Sequence, residues 1–583
     1  MGSLDTPAAV PSVAAPAVQL VDRFIDEPRP LRVAVIGGGL SGITAGILLP
    51  IKVPGVQLTI YEKNKELSGT WLVNTYPGVR CDIPSHAYQS TFEPNPEWKD
   101  VFSYGAEIRD YWQSLAHKYD VYKYAQLGKR VAGADWDQAA GEWTVTVSDV
   151  DTEKETQATF DVIITAVGRF NNWKLPDYPG LKDYRGHLRH AQDWDPSFDP
   201  TGKRVAVIGN GASGIQLVTN LQKTVGQLDH YVRNRTWIAS SWAGDERLPT
   251  AQPYSQEQIE SFKKDPKVYL AFRKDLEARY WRRFASIFKD SPDNDHLREH
   301  FIQIMTKRIE KKPELIKDLI PDFSPNCRRL TPGPGYLESL TEDNVDYIRN
   351  PIKRFTEKGI ETADGTVREV DAIICATGAD QTQAPPFPIR ANGKELADVW
   401  QSKGHPYTYL GTATPGFPNL FYVLGPNSSG PSGTVPQSVE TQLSFVSRIL
   451  RKIGHQGVKS IAPQESAADE FEAWATAFFA KTVLSESCSS WYNAGNPGGF
   501  ISGMWPGSSA HLSVVRREPR WEDWEYSYIT EGQQKGPQNR FAWYFGNGWT
   551  KKESDPETDI VAYLHVPGTV DLKDVHESWH SIP

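Results

Sequence analysis

The sequence predicts an α/β protein built from two doubly wound units of the three-layer ββα type, with a helical insertion. Three observations predict it. The apolar run Arg32-Val33-Ala34-Val35-Ile36 ends in glycines and passes into a helical pattern over residues 43–49. The same order recurs about 170 residues later, where Arg204-Val205-Ala206-Val207-Ile208 precedes glycines and a helical stretch at 215–221. Between about 252 and 319 the composition turns to Lys, Glu and Arg with spaced apolar residues, as in 276–284, which reads as amphipathic helix.

A chain of 583 residues is too long for one ordinary core. Its net charge of −9 leaves no basic surplus to neutralise phosphates, so small molecules rather than nucleic acid are the expected partners. Cys81, Cys327, Cys375 and Cys488 are scattered and form no CxxC pair. Neither a zinc site nor a disulfide framework is therefore expected, which fits a reducing, cytoplasmic setting. The apolar stretch 33–49 is broken by Gly37, Gly38, Gly39, Gly42 and Gly46, which suits a buried strand and helix better than a membrane span. Residues 1–30 read as a flexible arm, with prolines in their Ala/Val run and no basic start. Residues 1–6 formally meet the short myristoylation pattern.

Gly37-x-Gly39-x-x-Gly42 directly after a strand supplies the tight turn, the close backbone approach and the helix N-terminus that a pyrophosphate needs. Glu62 lies 20 residues beyond Gly42, at the end of a second strand, 56–61, where a carboxylate can accept the hydrogen bonds of a ribose diol. This is the pattern of a Rossmann-like dinucleotide site, and it does not separate FAD from NAD. In the second unit the turn is Gly209-Asn210-Gly211-Ala212-Ser213-Gly214, and Arg233 replaces the acid at the end of strand 228–232. A guanidinium there can pair with a 2′-phosphate, so NADPH is expected over NADH. Further on, Asp364-Gly365 marks a hairpin turn and residues 370–375 a buried strand.

Between the two units, Gly69-x-Trp71-x4-Tyr76-Pro77-Gly78-x3-Asp82 resembles the GxWxxxxYPGxxxD pattern of type I Baeyer–Villiger monooxygenases, with Ser68 where that family usually has Ala or Gly. Tyr184-x-Gly186-x3-His190-x3-Trp194-Asp195 resembles the family's FxGxxxHxxxW(P/D) fingerprint, with Tyr for Phe. Residues 371–378 are similar to its DxxxxATG strand, and 416–427 to its last flavin-side strand. The wording at 328–336 looks like that of fungal members acting in secondary metabolism. The resemblance spans about 31–524.

It implies FAD, NADPH and O2 as reactants: NADPH reduces the flavin, oxygen adds at its C4a carbon, and the peroxide attacks a ketone to give an ester or lactone. It implies a discontinuous FAD domain at 31–175 and 371–540, an NADP domain at 176–370 containing the insertion, and a C-terminal extension at 541–583. By motif position Arg329 resembles the active-site arginine and Asp82 its orienting carboxylate. Leu330 departs from the proline that commonly follows that arginine. Thr70, Trp71 and Tyr88 are expected beside the flavin. Arg328 and Trp491 are expected beside the NADP coenzyme, and Gly186, His190 and Trp194 at the hinge. The electrostatic logic stands without the family, because a guanidinium stays charged and can stabilise an anion without giving up its proton.

The insertion and residues 484–505, loosened by Gly495, Gly498 and Gly499, are the expected pocket walls, and their aromatics suit a bulky apolar ketone. Two other readings compete: a flavin monooxygenase that oxygenates sulfur or nitrogen, and a flavin-binding redox sensor or scaffold without turnover. The sequence leaves the oligomeric state open.

Overall fold

The computed structural model describes residues 20–170, 172–239, 252–380, 383–529 and 539–573. The myristoylation pattern and most of the N-terminal arm lie outside them.

The first unit is a five-stranded parallel sheet in the order Leu420–Tyr422, Val162–Thr165, Leu31–Ile36, Val56–Tyr61, Ala125–Gln126. Strand Leu31–Ile36 is buried along almost its whole length, as befits a parallel strand covered on both faces. Helices Leu40–Lys52 and Val435–His455 pack against each other and place Ile43, Ile47, Val439 and Val446 in the same core as Val33 and Val35. Antiparallel strands Lys129–Asp137, Glu142–Asp149 and Glu155–Phe160 add Trp143, Val145 and Val147 to that core and form the third layer.

The second unit repeats the plan. Its parallel sheet runs Val345–Ile348, Gln227–Tyr231, Arg204–Ile208, Ala372–Cys375, His187–His190. Side chains alternate across a strand. Val205 and Val207 therefore meet Ile215, Leu217 and Leu337 on the helical side, while Ala206 and Ile208 meet Phe355 and Ile360 on the other. The latter come from a three-stranded meander, Ile352–Phe355, Gly359–Thr362 and Val367–Glu369, whose last turn is Asp364-Gly365 with Gly365 at φ +84°.

One boundary is corrected. Ala372–Cys375 is hydrogen-bonded between two strands of the second sheet, so the chain leaves that unit after Cys375 and not at residue 371. The strand resembling DxxxxATG completes the second sheet before the chain returns to the first.

The insertion holds helices Gln256–Lys264, Pro266–Trp281, Pro292–Arg308 and Ile316–Leu319. Asp265 caps the second of these by accepting from Lys267 N and Val268 N, with Pro266 at the first helical position. The insertion grips the first unit through His86, whose ring is met edge-on by Tyr254, Phe262, Tyr269 and Phe272. Burial lowers the His86 pKa to about 3, so the ring is neutral.

The chain crosses between units twice, and the crossings pair with each other: Trp173 bridges Ala379, and Asp380 N donates to Asn172 O at 2.7 Å. His190 stacks on Trp173 with centroids 5.0 Å apart and accepts from Gln192 N through Nδ1. Burial lowers its pKa. Gly186 has no room for a Cβ beside the Tyr184 hydroxyl, and Trp194 packs near Phe198.

The C-terminal part of the chain, rich in Trp and Tyr, packs back on the first unit. Trp524–Tyr528 pairs with Val458–Pro463, and Trp543 lies on Gly457 beneath Arg23. Among the described residues no helix is long and apolar enough to cross a membrane.

Candidate active site

The two glycine turns are built alike. Gly37 and Gly209 have φ of +114° and +107°, and a Cβ on either would press on the carbonyl of Ala166 or Ala376 from the neighbouring strand's exit. A Cβ on Gly42 or Gly214 would strike the carbonyl of Gly37 or Gly209 in its own turn. Gly211, by contrast, has nothing within 4 Å of its Cβ position, and Gly39 faces only the Gly69 backbone. The outer glycines close each turn and the middle one leaves an open cradle, which is the shape a pyrophosphate requires. Glu62 Oε1 accepts from Asn64 N and Nδ2, and Oε2 accepts from Gly38 N at 2.7 Å. By that count Oε2 keeps acceptor capacity for a ribose hydroxyl. These residues fit the adenosine diphosphate half of FAD in the first unit and of NADP in the second.

At the second site Arg233 is exposed at the end of its strand. Arg328 donates to Arg235 O at 3.2 Å, and its pKa is lowered by burial and then by the nearby Arg233 charge. Two guanidiniums held within reach of each other favour an anion between them.

The segment after the first cradle links the units. Ser68, buried at φ +113°, occupies a backbone region that favours glycine, which accounts for the small residue usual there. One helical turn, Thr70–Val73, follows, and Trp71 Nε1 donates to the Tyr88 hydroxyl at 3.3 Å. Thr70 is exposed at its start. Tyr76 then donates to Gln216 Oε1 at 2.9 Å, and Gln216 Nε2 donates to Arg80 O at 3.0 Å. Gly78, at φ +81°, lies where a Cβ would overlap the Asn220 side chain. Gln216 and Asn220 belong to the second unit's helix Ala212–Leu221, which also carries Ser213 at its start, so the Tyr-Pro-Gly loop is a docking loop. It delivers Asp82 to Arg329.

Arg329 Nε and Nη2 donate to the two Asp82 carboxylate oxygens, each at 2.6 Å. The two side chains retain 37% and 16% exposure, so the pair stays within reach of solvent. Burial pulls the Arg329 pKa down, but the Asp82 charge and hydrogen bonds outweigh it and leave the guanidinium above its ordinary value. Tyr492 and Tyr280 lie close enough to contribute to its field. Leu330, which departs from the family's usual proline, packs against the second unit's helical-side core.

The expectation of unpaired cysteines is overturned. Cys327 and Cys488 form a disulfide across 161 residues, whereas Cys81 and Cys375 are free and buried. Scattered spacing hid a pairing that only the fold creates. The cysteines accordingly no longer argue for a reducing compartment. This bond joins the residue before Arg328-Arg329 to the segment carrying Trp491, and Ser324 N donates to Glu486 beside it at 2.8 Å.

Residues that sequence reasoning passed over include Gln216 and Arg169. Arg169 is a cation four residues beyond a buried parallel strand, at the carboxyl end of the sheet where ligands bind. That position was the available signal. A cavity of about 630 Å³ lined by Arg32, Gln57, Tyr61 and Lys129 lies elsewhere and brings together none of the candidate catalytic residues.

Comparison with known proteins gives one answer. A family model described as flavin-binding monooxygenase-like matches residues 30–252. An FAD-binding monooxygenase of Aspergillus terreus is 34% identical over 92% of this chain and 95% of its own. A Baeyer–Villiger monooxygenase of Pseudomonas aeruginosa is 32% identical over 84% of this chain and 90% of its own. The crystal structure of cyclohexanone monooxygenase from Rhodococcus sp. Phi1 bound to NADP+ superposes with a TM-score of 0.73 at 26% identity, covering 86% of this chain and all of that one.

Proposed function

The chain belongs to the FAD-binding monooxygenases, and on that premise we propose that it uses NADPH and O2 to insert one oxygen beside the carbonyl of a bulky apolar ketone, giving an ester or lactone. The observation that carries this reading is the bidentate, partly exposed Arg329–Asp82 pair. Oxygenation of sulfur or nitrogen needs no fixed cation, whereas addition to a carbonyl develops an oxyanion that one stabilises.

Bound FAD supplies the redox chemistry and the activation of O2. The chain supplies the rest. Gly37, Gly39, Gly42 and Glu62 would hold the adenosine end of FAD, and Thr70, Trp71, Tyr88 and Asp82 would border its ring. Gly209, Gly211, Ser213 and Gly214 would receive NADPH, with Arg233 and Arg328 available to its 2′-phosphate and Trp491 to its nicotinamide end. Arg329 holds a permanent positive charge where the carbonyl oxygen becomes anionic. Asp82 fixes that guanidinium through two parallel hydrogen bonds, so no reorganisation is needed as charge develops. We assign 31–175 with 376–540 to the FAD unit and 176–375 to the NADP unit. The match to fungal relatives supports a secondary metabolite as substrate.

The purified holoprotein is tested with NADPH, O2 and a panel of bulky cyclic ketones and thioethers. Lactone formation with equal consumption of NADPH is the expected result. Sulfoxides with no lactone would place the chain among heteroatom oxygenases. Flavin that NADPH does not reduce would make it a sensor or scaffold.

A further inference from the structure

Trp491 is held by a set of contacts that converge on one half-buried cation. Arg169 Nε donates to Leu424 O at 3.1 Å, Nη2 donates to Gly425 O at 2.5 Å and to Ser428 Oγ at 3.0 Å, and Nη1 donates to Gly503 O. Its guanidinium carbon lies 5.4 Å from the centre of the Trp491 ring. The adjacent Phe170 meets the same ring edge-on at 5.4 Å. No ion pair to Arg169 occurs among the described residues. Burial lowers its pKa to about 10, which leaves it charged at neutral pH.

These contacts tie three loops into one frame. Residues 424–428 leave the strand Leu420–Tyr422 of the first sheet, and Asn427 Nδ2 donates onward to Ile501 O and Met504 O. Gly503 N in turn donates to Tyr492 O at 2.9 Å, beside Trp491. A Cβ on Gly503 would stand 2.9 Å from the Trp491 ring, so the indole is seated directly on this backbone. Only a guanidinium offers enough donors, in one plane, for three carbonyls and a hydroxyl while presenting a face to an indole. A half-buried cation whose donors are spent on backbone carbonyls and a hydroxyl, with no carboxylate partner among the described residues, is costlier to keep than a solvated one, which argues for a task beyond packing.

We propose that Arg169 is a positioning residue for Trp491, setting the pose of that indole and through it the binding of the nicotinamide coenzyme. The inference rests on the reading above that Trp491 borders the coenzyme. Arg169 acts at a distance from the reacting atoms, and its effect passes through the indole.

The test is a double-mutant cycle on the holoenzyme, with NADP+ affinity read from the perturbation of the bound flavin's visible spectrum and FAD content measured alongside. Arg169→Lys keeps the charge and loses the planar fork. It is expected to weaken NADP+ binding about tenfold with FAD content unchanged, and to cause no further loss in a Trp491→Ala background. Gly503→Ala, whose Cβ would stand 2.7 Å from Tyr492 Cα and 2.9 Å from the indole, displaces the Trp491 seat and one acceptor of Arg169 without removing the guanidinium; it is expected to do the same and carries the test should Arg169→Lys fail to fold. Losses that multiply in the double variants, or unchanged affinity in Gly503→Ala, overturn the inference while leaving the Trp491 reading in place. Unchanged affinity in Trp491→Ala alone removes that reading, and the inference with it.

Discussion

Asp82 and Arg329 stand 247 positions apart in the chain and face each other through two hydrogen bonds of 2.6 Å. Each comes from a different dinucleotide unit, so the pair exists only when the Tyr-Pro-Gly loop is docked on the helix Ala212–Leu221. Formation of this pair and docking of the loop are thus one condition.

Replacing Asp82 by Asn keeps the size and one acceptor but removes the charge that anchors the guanidinium. Oxygen insertion is expected to fall about 100-fold, with FAD retained and NADPH still oxidised. Lactone formed per NADPH consumed, measured by chromatography against absorbance at the coenzyme band, checks it. Arg329→Lys is expected to behave similarly, because an ammonium cannot make the two parallel bonds.

The second glycine turn allows a sharper contrast. Gly214→Ala drives a Cβ into the Gly209 carbonyl and is expected to disrupt the unit, lowering soluble yield. Gly211→Ala meets nothing in the protein, so the fold and FAD content should stay intact while the methyl intrudes on the phosphate cradle. NADP+ affinity about tenfold weaker is expected from titration. Equal affinity in wild type and Gly211→Ala would show that the coenzyme does not use this turn.

Arg233 is exposed beside the half-buried Arg328. Arg233→Ala is expected to raise the KM for NADPH about tenfold or more and leave the KM for NADH nearly unchanged, since only the former carries the 2′-phosphate. Steady-state kinetics with both coenzymes decides it.

The disulfide closes a loop of 161 residues. Cys327→Ser with Cys488→Ser is expected to destabilise the protein by about 2–5 kcal/mol in the chain-entropy account. A lower melting temperature is the expected readout, with wild type shifted towards the variant by a thiol reductant and the variant indifferent to it.

The local grammar of this fold is plainly written. Both strand–glycine–helix entries, the helical insertion and the Asp364-Gly365 turn follow from apolar periodicity and glycine placement, because each is decided by neighbours in sequence. The Asp82–Arg329 pairing came from motif resemblance, since nothing in spacing alone joins residues so far apart. The boundary at 371 failed for a related reason: an apolar strand shows that it is buried, not which sheet buries it. Cys327 with Cys488 and Arg169 with Trp491 were illegible because their partners are chosen by tertiary contact. Ser68 shows the reverse case, a residue whose oddness in the motif is explained once its φ of +113° is seen.

Besides the non-covalent docking at Tyr76–Gln216 and Asp82–Arg329, the two units are tied covalently in two ways: by the paired chain crossings at Trp173 and Ala379, and by the bond from Cys327 to Cys488. A body pinned at one point can swivel in any direction, but a body pinned at two can only turn about the line between them. Once the hydrogen-bonded docking loosens, any opening between the units is therefore held to a single swing, and cutting the sulfur link relaxes it without altering Asp82 or Arg329.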